Sequence, residues 1–194
     1  MPDAGFTDLV GERVVLRRFR PADLDSFVAY RSIDQVARYQ SWEAPYSRAA
    51  GQRFISELTA SHPDNAGEWF QFAVALGGTG ELIGDCAARP QADDLRQVEI
   101  GFTIAPAHQG RGYATEAVRS LIGYLFGARC KHRVSASSDE RNLASIRVLE
   151  RIGMRREGHL RESSWAKGEW TDDLLYAILD REWRSLPAAR PLGG

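Results

Sequence analysis

The sequence predicts a mixed α/β fold (α+β), a largely antiparallel sheet flanked by helices. Three observations predict it. Alternating apolar residues mark more strands than helical spacing marks helices. Two glycine-containing turns, at Gly77-Gly78-Thr79-Gly80 and Lys167-Gly168, join neighbouring strands as hairpins. Two strand–helix–strand crossovers follow mid-chain, so the order is not the regular alternation of a doubly wound sheet.

The elements follow in order. Arg13–Phe19 alternates as a strand. Pro21 opens a helix with Asp23 in its first turn and Leu24, Phe27 and Val28 as its apolar stripe. Ser47 is placed to cap a second helix, with Ala50, Phe54 and Leu58 at four-residue spacing. Trp69–Leu76 and Leu82–Ala88 form the first hairpin, with Phe70, Phe72, Val74 and Leu76 on one face. Gln97–Ile104 is a strand ended by Pro106. Tyr113–Phe126 has the strongest helical period, through Ala114, Ala117, Val118, Leu121 and Leu125. His132–Ser137 is a strand, and Asn142–Ile152 a helix stopped by Gly153. Met154–Ser164 and Asp172–Leu179 make the closing hairpin. The total is about seven strands and about four helices.

Composition narrows the class. At roughly 150 residues per domain, 194 residues make one domain, placed at 1–186, with a Pro-, Ala- and Gly-rich tail at 187–194. Hydrophobic residues at 43% and charged residues at 26% exclude a disordered chain. No apolar run approaches the roughly 20 residues of a membrane span. Met1–Leu9 carries Asp3 and Asp8 and lacks the apolar core of a signal peptide. Two cysteines, Cys86 and Cys130, argue against a disulfide scaffold or a cysteine zinc site. His62, His108, His132 and His159 show no ligand spacing, so no metal is expected. The expected compartment is the cytoplasm.

Charge is uneven. Residues 1–108 hold 10 basic and 15 acidic side chains, residues 109–161 hold 11 and 5. A basic middle segment suits an anionic ligand and an acidic first part a cationic one; chance clustering on solvated faces explains the counts as well. Arg111, Arg119, Arg147 and Arg151 do not share one recognition helix, and the pI is about 6.4, so nucleic acid is not an expected partner.

Gln109-Gly110-Arg111-Gly112-Tyr113-Ala114 lies between a strand and the strongest helix. Two glycines let backbone amides approach a ligand, and a helix N-terminus adds free N–H groups and a positive dipole end. The segment can cradle a diphosphate, with Arg111 at its rim, or be a tight turn with no ligand. It lacks the Gly-Lys-Ser/Thr of a Walker A loop, and Thr115 stands where a dinucleotide fingerprint needs glycine.

Gln109, Gly112 and Ala114 match the Gln-x-x-Gly-x-Ala pyrophosphate motif of the GNAT acetyltransferases, and the chain resembles that family. Glu99-Ile100-Gly101-Phe102, Asn142-Leu143-Ala144-Ser145 and Arg151-Ile152-Gly153-Met154 agree. Gly168-Glu169-Trp170-Thr171-Asp172, then Tyr176 and Glu182-Trp183, is similar to the RimJ/RimL branch. The resemblance spans Arg13–Trp183.

The resemblance implies a GNAT fold with splayed central strands and an acetyl-CoA-dependent N-acetyltransferase. Backbone groups of Phe102, Thr103 and Ile104 would pair with pantetheine, and the amides from Gln109 through Gly110, Arg111, Gly112, Tyr113 and Ala114 to Thr115 would hold the pyrophosphate. Asn142 would bond the pantetheine or acetyl end and also cap its helix. Ser145 would lie near the sulfur as an acid, although many members use a tyrosine that this chain lacks there. The amine acceptor must lose a proton, and Glu99 is the expected base, with Glu68 and Asp85 behind it. Its alternative is a glutamate paired with an arginine. Trp42, Tyr46, Trp69, Trp165 and Trp170 are candidates for an aromatic acceptor wall, or else core; Tyr30 and Tyr39 are expected in the core.

The branch favours a protein or peptide N-terminus as acceptor. A small amine of the aminoglycoside type and a non-catalytic CoA-binding module are the alternatives. No membrane partner is expected, and a homodimer through the last strands is possible within the branch.

Overall fold

The computed structural model describes residues 6–187. Of the expected tail, all but Pro187 lies outside the described residues. The first strands are β1 (Leu9–Val10) and β2 (Val14–Arg17). A single 3-10 turn at Pro21–Asp23 leads into α1 (Leu24–Arg31), followed by α2 (Asp34–Ala37) and α3 (Arg48–Ala60). Ser47 caps α3, accepting from the Ala50 amide at 3.1 Å.

Three strands follow, β3 (Phe70–Leu76), β4 (Leu82–Pro90) and β5 (Gln97–Ile104). Then come α4 (Tyr113–Gly127), β6 (Arg133–Asp139), α5 (Leu143–Ile152), β7 (Arg155–Ala166), β8 (Glu169–Leu179) and α6 (Asp180–Ser185).

The eight strands form one sheet in the order β1-β2-β3-β4-β5-β6-β8-β7. Every neighbouring pair is antiparallel except β5 with β6. The described residues therefore hold eight strands and six helices, against the seven and four expected from sequence. The additions are β1, α2 and α6, with two, four and six residues. Elements that short carry too little periodicity to stand out.

Strand alternation splits the core. Phe70, Phe72, Val74, Ile100 and Ile178 face α4 and α5 in one cluster with Val118, Leu121 and Leu149. The opposite face of β3 and β4 packs against α1 and α3 through Phe27, Tyr30, Ile55, Leu58 and Ala73. No residue of β5, β6, β7 or β8 belongs to this second cluster, and the site lies at that half of the sheet.

The β5–β6 pair shapes this opening. It is hydrogen-bonded only from Gln97 opposite Arg133 to Glu99 opposite Ser135. Beyond that, β5 stays on β4 as far as Ile104, while β6 stays on β8 as far as Asp139. The sheet divides there into two halves. Gly84 allows β4 to hold the end of β5: a Cβ at this position would lie 2.1 Å from the Thr103 carbonyl oxygen.

Candidate active site

Two cavities meet in the splay. The first, about 740 Å³, is floored by Glu99, Gly101, Ser137, Asp139, Thr171 and Asp173 and walled by 38–41 and the tip of the β7–β8 hairpin. The second, about 430 Å³, lies between β5 and the N-terminal halves of α4 and α5. Five residues line both: Tyr39, Gln40, Phe102, Asn142 and Ser145.

Their charges differ in sign. Among the described residues the second cavity is lined by Arg147 and Arg151 and by no carboxylate. The first holds Glu99, Asp139, Glu169 and Asp173 against Arg38, Arg141 and Lys167. An anion is favoured on one side of the junction and a cation on the other.

The second cavity contains the Gly-rich loop. Gly112 precedes α4 with φ 82°, a conformation that costs a side-chain-bearing residue energy and leaves the first-turn amides bare. Gln109 donates from Nε2 to the Ile104 carbonyl at 2.7 Å, closing the loop onto the end of β5. Arg13 stacks 5.0 Å from the Tyr113 ring centroid and donates from Nε to Glu116 at 2.8 Å, tying α4 to β2. Of the cofactor-binding residues expected from sequence, Phe102, Thr103, Ile104, Gln109, Gly110, Gly112, Tyr113, Ala114, Thr115, Asn142 and Ser145 line this cavity. Arg111 does not: its side chain is exposed, outside the lining. Arg147 and Arg151 supply the positive charge instead, one helical turn apart on α5.

At the junction, Asn142 Oδ1 caps α5 by accepting from the Ser145 amide at 3.2 Å, which leaves its Nδ2 donor for a ligand. Tyr39, expected in the core, instead follows α2 and bridges the splay, its hydroxyl donating to the Arg141 carbonyl at 3.4 Å. Sequence reasoning missed it because α2 is too short to show a period.

In the first cavity Glu99 shares a strand face with Gly101, opposite the buried Ile100. It forms an ion pair with Arg89, its cross-strand partner on β4. Arg89 in turn lies 4.8 Å from the Trp69 ring centroid, so Trp69 supports this pair and lines neither cavity. Asp139 holds Arg141 through Oδ1 at 2.9 Å and Oδ2 at 2.6 Å. Burial opposes ionisation of Asp139, but these bonds outweigh it and hold the carboxyl below its ordinary range.

The two other base candidates lie elsewhere. Glu68 is exposed and bonded to Asn65 at 2.8 Å. Asp85 is buried, hydrogen-bonded to the Tyr30 hydroxyl and 3.6 Å from Arg31. Burial, then the Asp85 charge, pushes the Tyr30 phenol well above its usual pKa. Tyr30 is a core residue, as its sequence context suggested.

The aromatic wall is corrected most. Trp42 and Tyr46 face Arg31, the protein's own cation. The guanidinium carbon lies 3.9 Å from the Trp42 ring, 4.2 Å from Phe27, 4.9 Å from Phe54 and 5.4 Å from Tyr46. Trp42 Nε1 also donates to the Arg31 carbonyl at 3.1 Å. A buried guanidinium draws aromatic faces around itself, so these rings are committed. Trp165 does line the first cavity, 62% exposed and edge-on to Trp170 with centroids 5.3 Å apart.

The acetyltransferase (GNAT) domain family matches residues 13–155. The uncharacterized N-acetyltransferase p20 of Bacillus licheniformis is 30% identical over 179 residues, 90% of this chain and 97% of the relative. The ribosomal protein uS5-alanine N-acetyltransferase of Escherichia coli is 30% identical over 84 residues, 43% of each chain. Mycobacterium smegmatis RimJ, solved with CoA-disulfide, superposes with a TM-score of 0.76 at 28% identity, covering 87% of this chain and 83% of that one. A splayed sheet, a glycine loop at the α4 N-terminus and this match across both carry one conclusion: the chain belongs to the GNAT family and is an N-acetyltransferase similar to its RimJ-like members.

Proposed function

We propose that the protein transfers acetyl from acetyl-CoA to the α-amine of a protein or peptide N-terminus by direct attack. The observation that carries this reading is the meeting of two oppositely charged cavities at five shared residues. The anionic cosubstrate belongs in the second cavity, its diphosphate on the amides of 109–115 and its pantetheine along the free edge of β5. The CoA-disulfide complex of the RimJ neighbour and the acceptor named for the uS5-alanine enzyme support this assignment.

The roles follow from the chemistry. An α-ammonium with a reference pKa of about 8 is mostly charged at neutral pH, so it must be deprotonated before it attacks. Glu99, on the cavity floor and steered by Arg89, takes that proton directly or through water. Attack on the thioester carbonyl forms the C–N bond, and a β5 amide near Phe102 stabilises the oxyanion. The C–S bond then breaks and releases a thiolate. Ser145 and Tyr39 both carry hydroxyls to this junction. A phenol is a stronger acid than an aliphatic alcohol, so Tyr39 is the better proton donor to the departing thiolate.

The test is a CoA-release screen over N-terminal peptides and small amines, with product masses. Acetylated peptide α-amines are expected. Turnover confined to small amines would reject the acceptor reading and leave the acetyltransferase intact.

A further inference from the structure

The carboxylates of the first cavity are not equivalent. Glu99 is paired with Arg89. Asp139 and Glu169 share Arg141, at 2.6 and 2.8 Å. Lys167 is satisfied by Glu43 at 3.1 Å and the Trp42 carbonyl at 2.7 Å. Arg38 folds over its neighbour's ring, 5.4 Å from the Tyr39 centroid.

Asp173 differs. Its Oδ2 accepts from the hydroxyls of Ser163 at 2.8 Å and Ser164 at 2.5 Å. Among the described residues it makes no ion pair, although it lines a cavity containing three cations. Two neutral donors fix the carboxylate in orientation without neutralising it. Its charge is left for something that enters the cavity.

That visitor is not the reacting amine, which meets Glu99. The Glu99 charge is partly offset by Arg89, whereas a fully uncompensated carboxylate such as Asp173 would favour the ammonium form and hinder the deprotonation on which attack depends. Its position agrees. Asp173 pairs with Asp139 at the far end of β6, four residues along the strand from Ser135, the partner of Glu99. A base at the closed end of the splay and an uncompensated carboxylate at the open end suit two separate groups of one acceptor. A guanidinium stays charged at any working pH, so it binds Asp173 without competing for the proton that Glu99 removes.

We propose that Asp173 selects acceptors, and that the preferred acceptor is a peptide bearing an arginine within the first few residues after its reacting α-amine. This rests on the peptide reading given above. Ser163 and Ser164 act as positioning residues for the carboxylate. No residue of the elements lining this cavity supplies Asp173 with a cation in their place.

The test uses the full-length protein and three peptides that differ in one residue near the N-terminus, carrying Arg, Ala or Glu. Competition assays read the kcat/KM ratios. The Arg peptide is expected to exceed the Ala peptide by about fivefold, the scale of a partly exposed ion pair. In Asp173→Asn, which keeps an oxygen for the serine hydroxyls, that ratio is expected to fall to about one. Ser164→Ala is expected to reduce it part-way. Ratios are insensitive to the fraction of protein folded, so a destabilised variant still reports. Equal turnover of the three peptides by the wild type, or a preference surviving in Asp173→Asn, would overturn the anchor and leave the peptide reading standing. A uniform fall in kcat with selectivity intact would place Asp173 in proton transfer and also overturn it. Turnover of small amines and of no peptide would reject the peptide reading itself, and the anchor with it.

Discussion

Arg31 shows how residue identity and residue role part company. The aromatics at 42 and 46 are visible in the sequence as a cation-binding set, and they do surround a cation. That cation is internal, because burial of Arg31 is decided by packing between α1, α3 and the 38–46 segment, which no local pattern encodes. Trp42→Ala is therefore expected to cost about 2 kcal/mol in denaturant unfolding, less than a fully buried tryptophan because Trp42 is only half-buried. Acceptor KM in the folded fraction should change little. A raised KM with unchanged stability would restore the acceptor wall. Glu99 was more legible. Its alternation with Ile100 places it on the open face from sequence alone, whereas the Arg89 ion pair needed the β4–β5 register. If Glu99 takes the amine's proton, Glu99→Gln is expected to lower turnover by roughly 10²–10⁴-fold, with partial recovery as pH rises and more amine is neutral. Acetyl-CoA affinity measured by calorimetry should stay near wild type. Near wild-type turnover at neutral pH would move proton transfer to solvent or another carboxylate.

At the scale of the element, α4 and its loop were the most readable part of the chain. A helical period running through a fifteen-residue helix and a glycine at the N-cap can be seen without tertiary information. α2 was not readable, and with it went Tyr39, the residue that spans the two cavities. The splay itself was visible only through the family resemblance, because strand patterns do not report where pairing stops. The loop carries its own test. Gly112→Val places a β-branched side chain at φ 82°, in the mouth of the cradle. At a CoA concentration of about 100 Kd the wild type gains about 2.7 kcal/mol of stability, a clear thermal shift. In the variant, measured against its own ligand-free Tm, that shift is expected to vanish. A shift of wild-type size would move the diphosphate away from these amides.

Over the whole molecule, charge is distributed by function and by stability together. The second cavity's arginines imply that CoA affinity falls as salt rises and screens its phosphates. Calorimetric affinity flat from low to high salt would contradict this. Several carboxyls have depressed pKa values in the folded state. Hydrogen bonds to Arg133 lower that of Glu157, the Glu162 amide and His159 lower that of Asp172, and the Leu179 amide and Arg155 lower that of Glu182. A carboxyl lowered on folding adds stability above its unfolded pKa of about 4, and that stability is lost as pH falls through the lower folded value. Urea midpoints should therefore be level near neutrality and decline below about pH 4. Midpoints that rise on acidification would contradict the sign. The adjoining cavities predict that both substrates occupy one cleft at once and meet at Tyr39, Gln40, Phe102, Asn142 and Ser145. Neither cavity is lined by a cysteine that could carry the acetyl group between them. Initial rates with acetyl-CoA and an acceptor peptide both varied test this most directly, read beside the intact mass of protein incubated with acetyl-CoA alone. Simultaneous occupancy predicts intersecting double-reciprocal lines and no acetylated enzyme on the path; parallel lines with an acetyl-enzyme that passes its group to the peptide would contradict it.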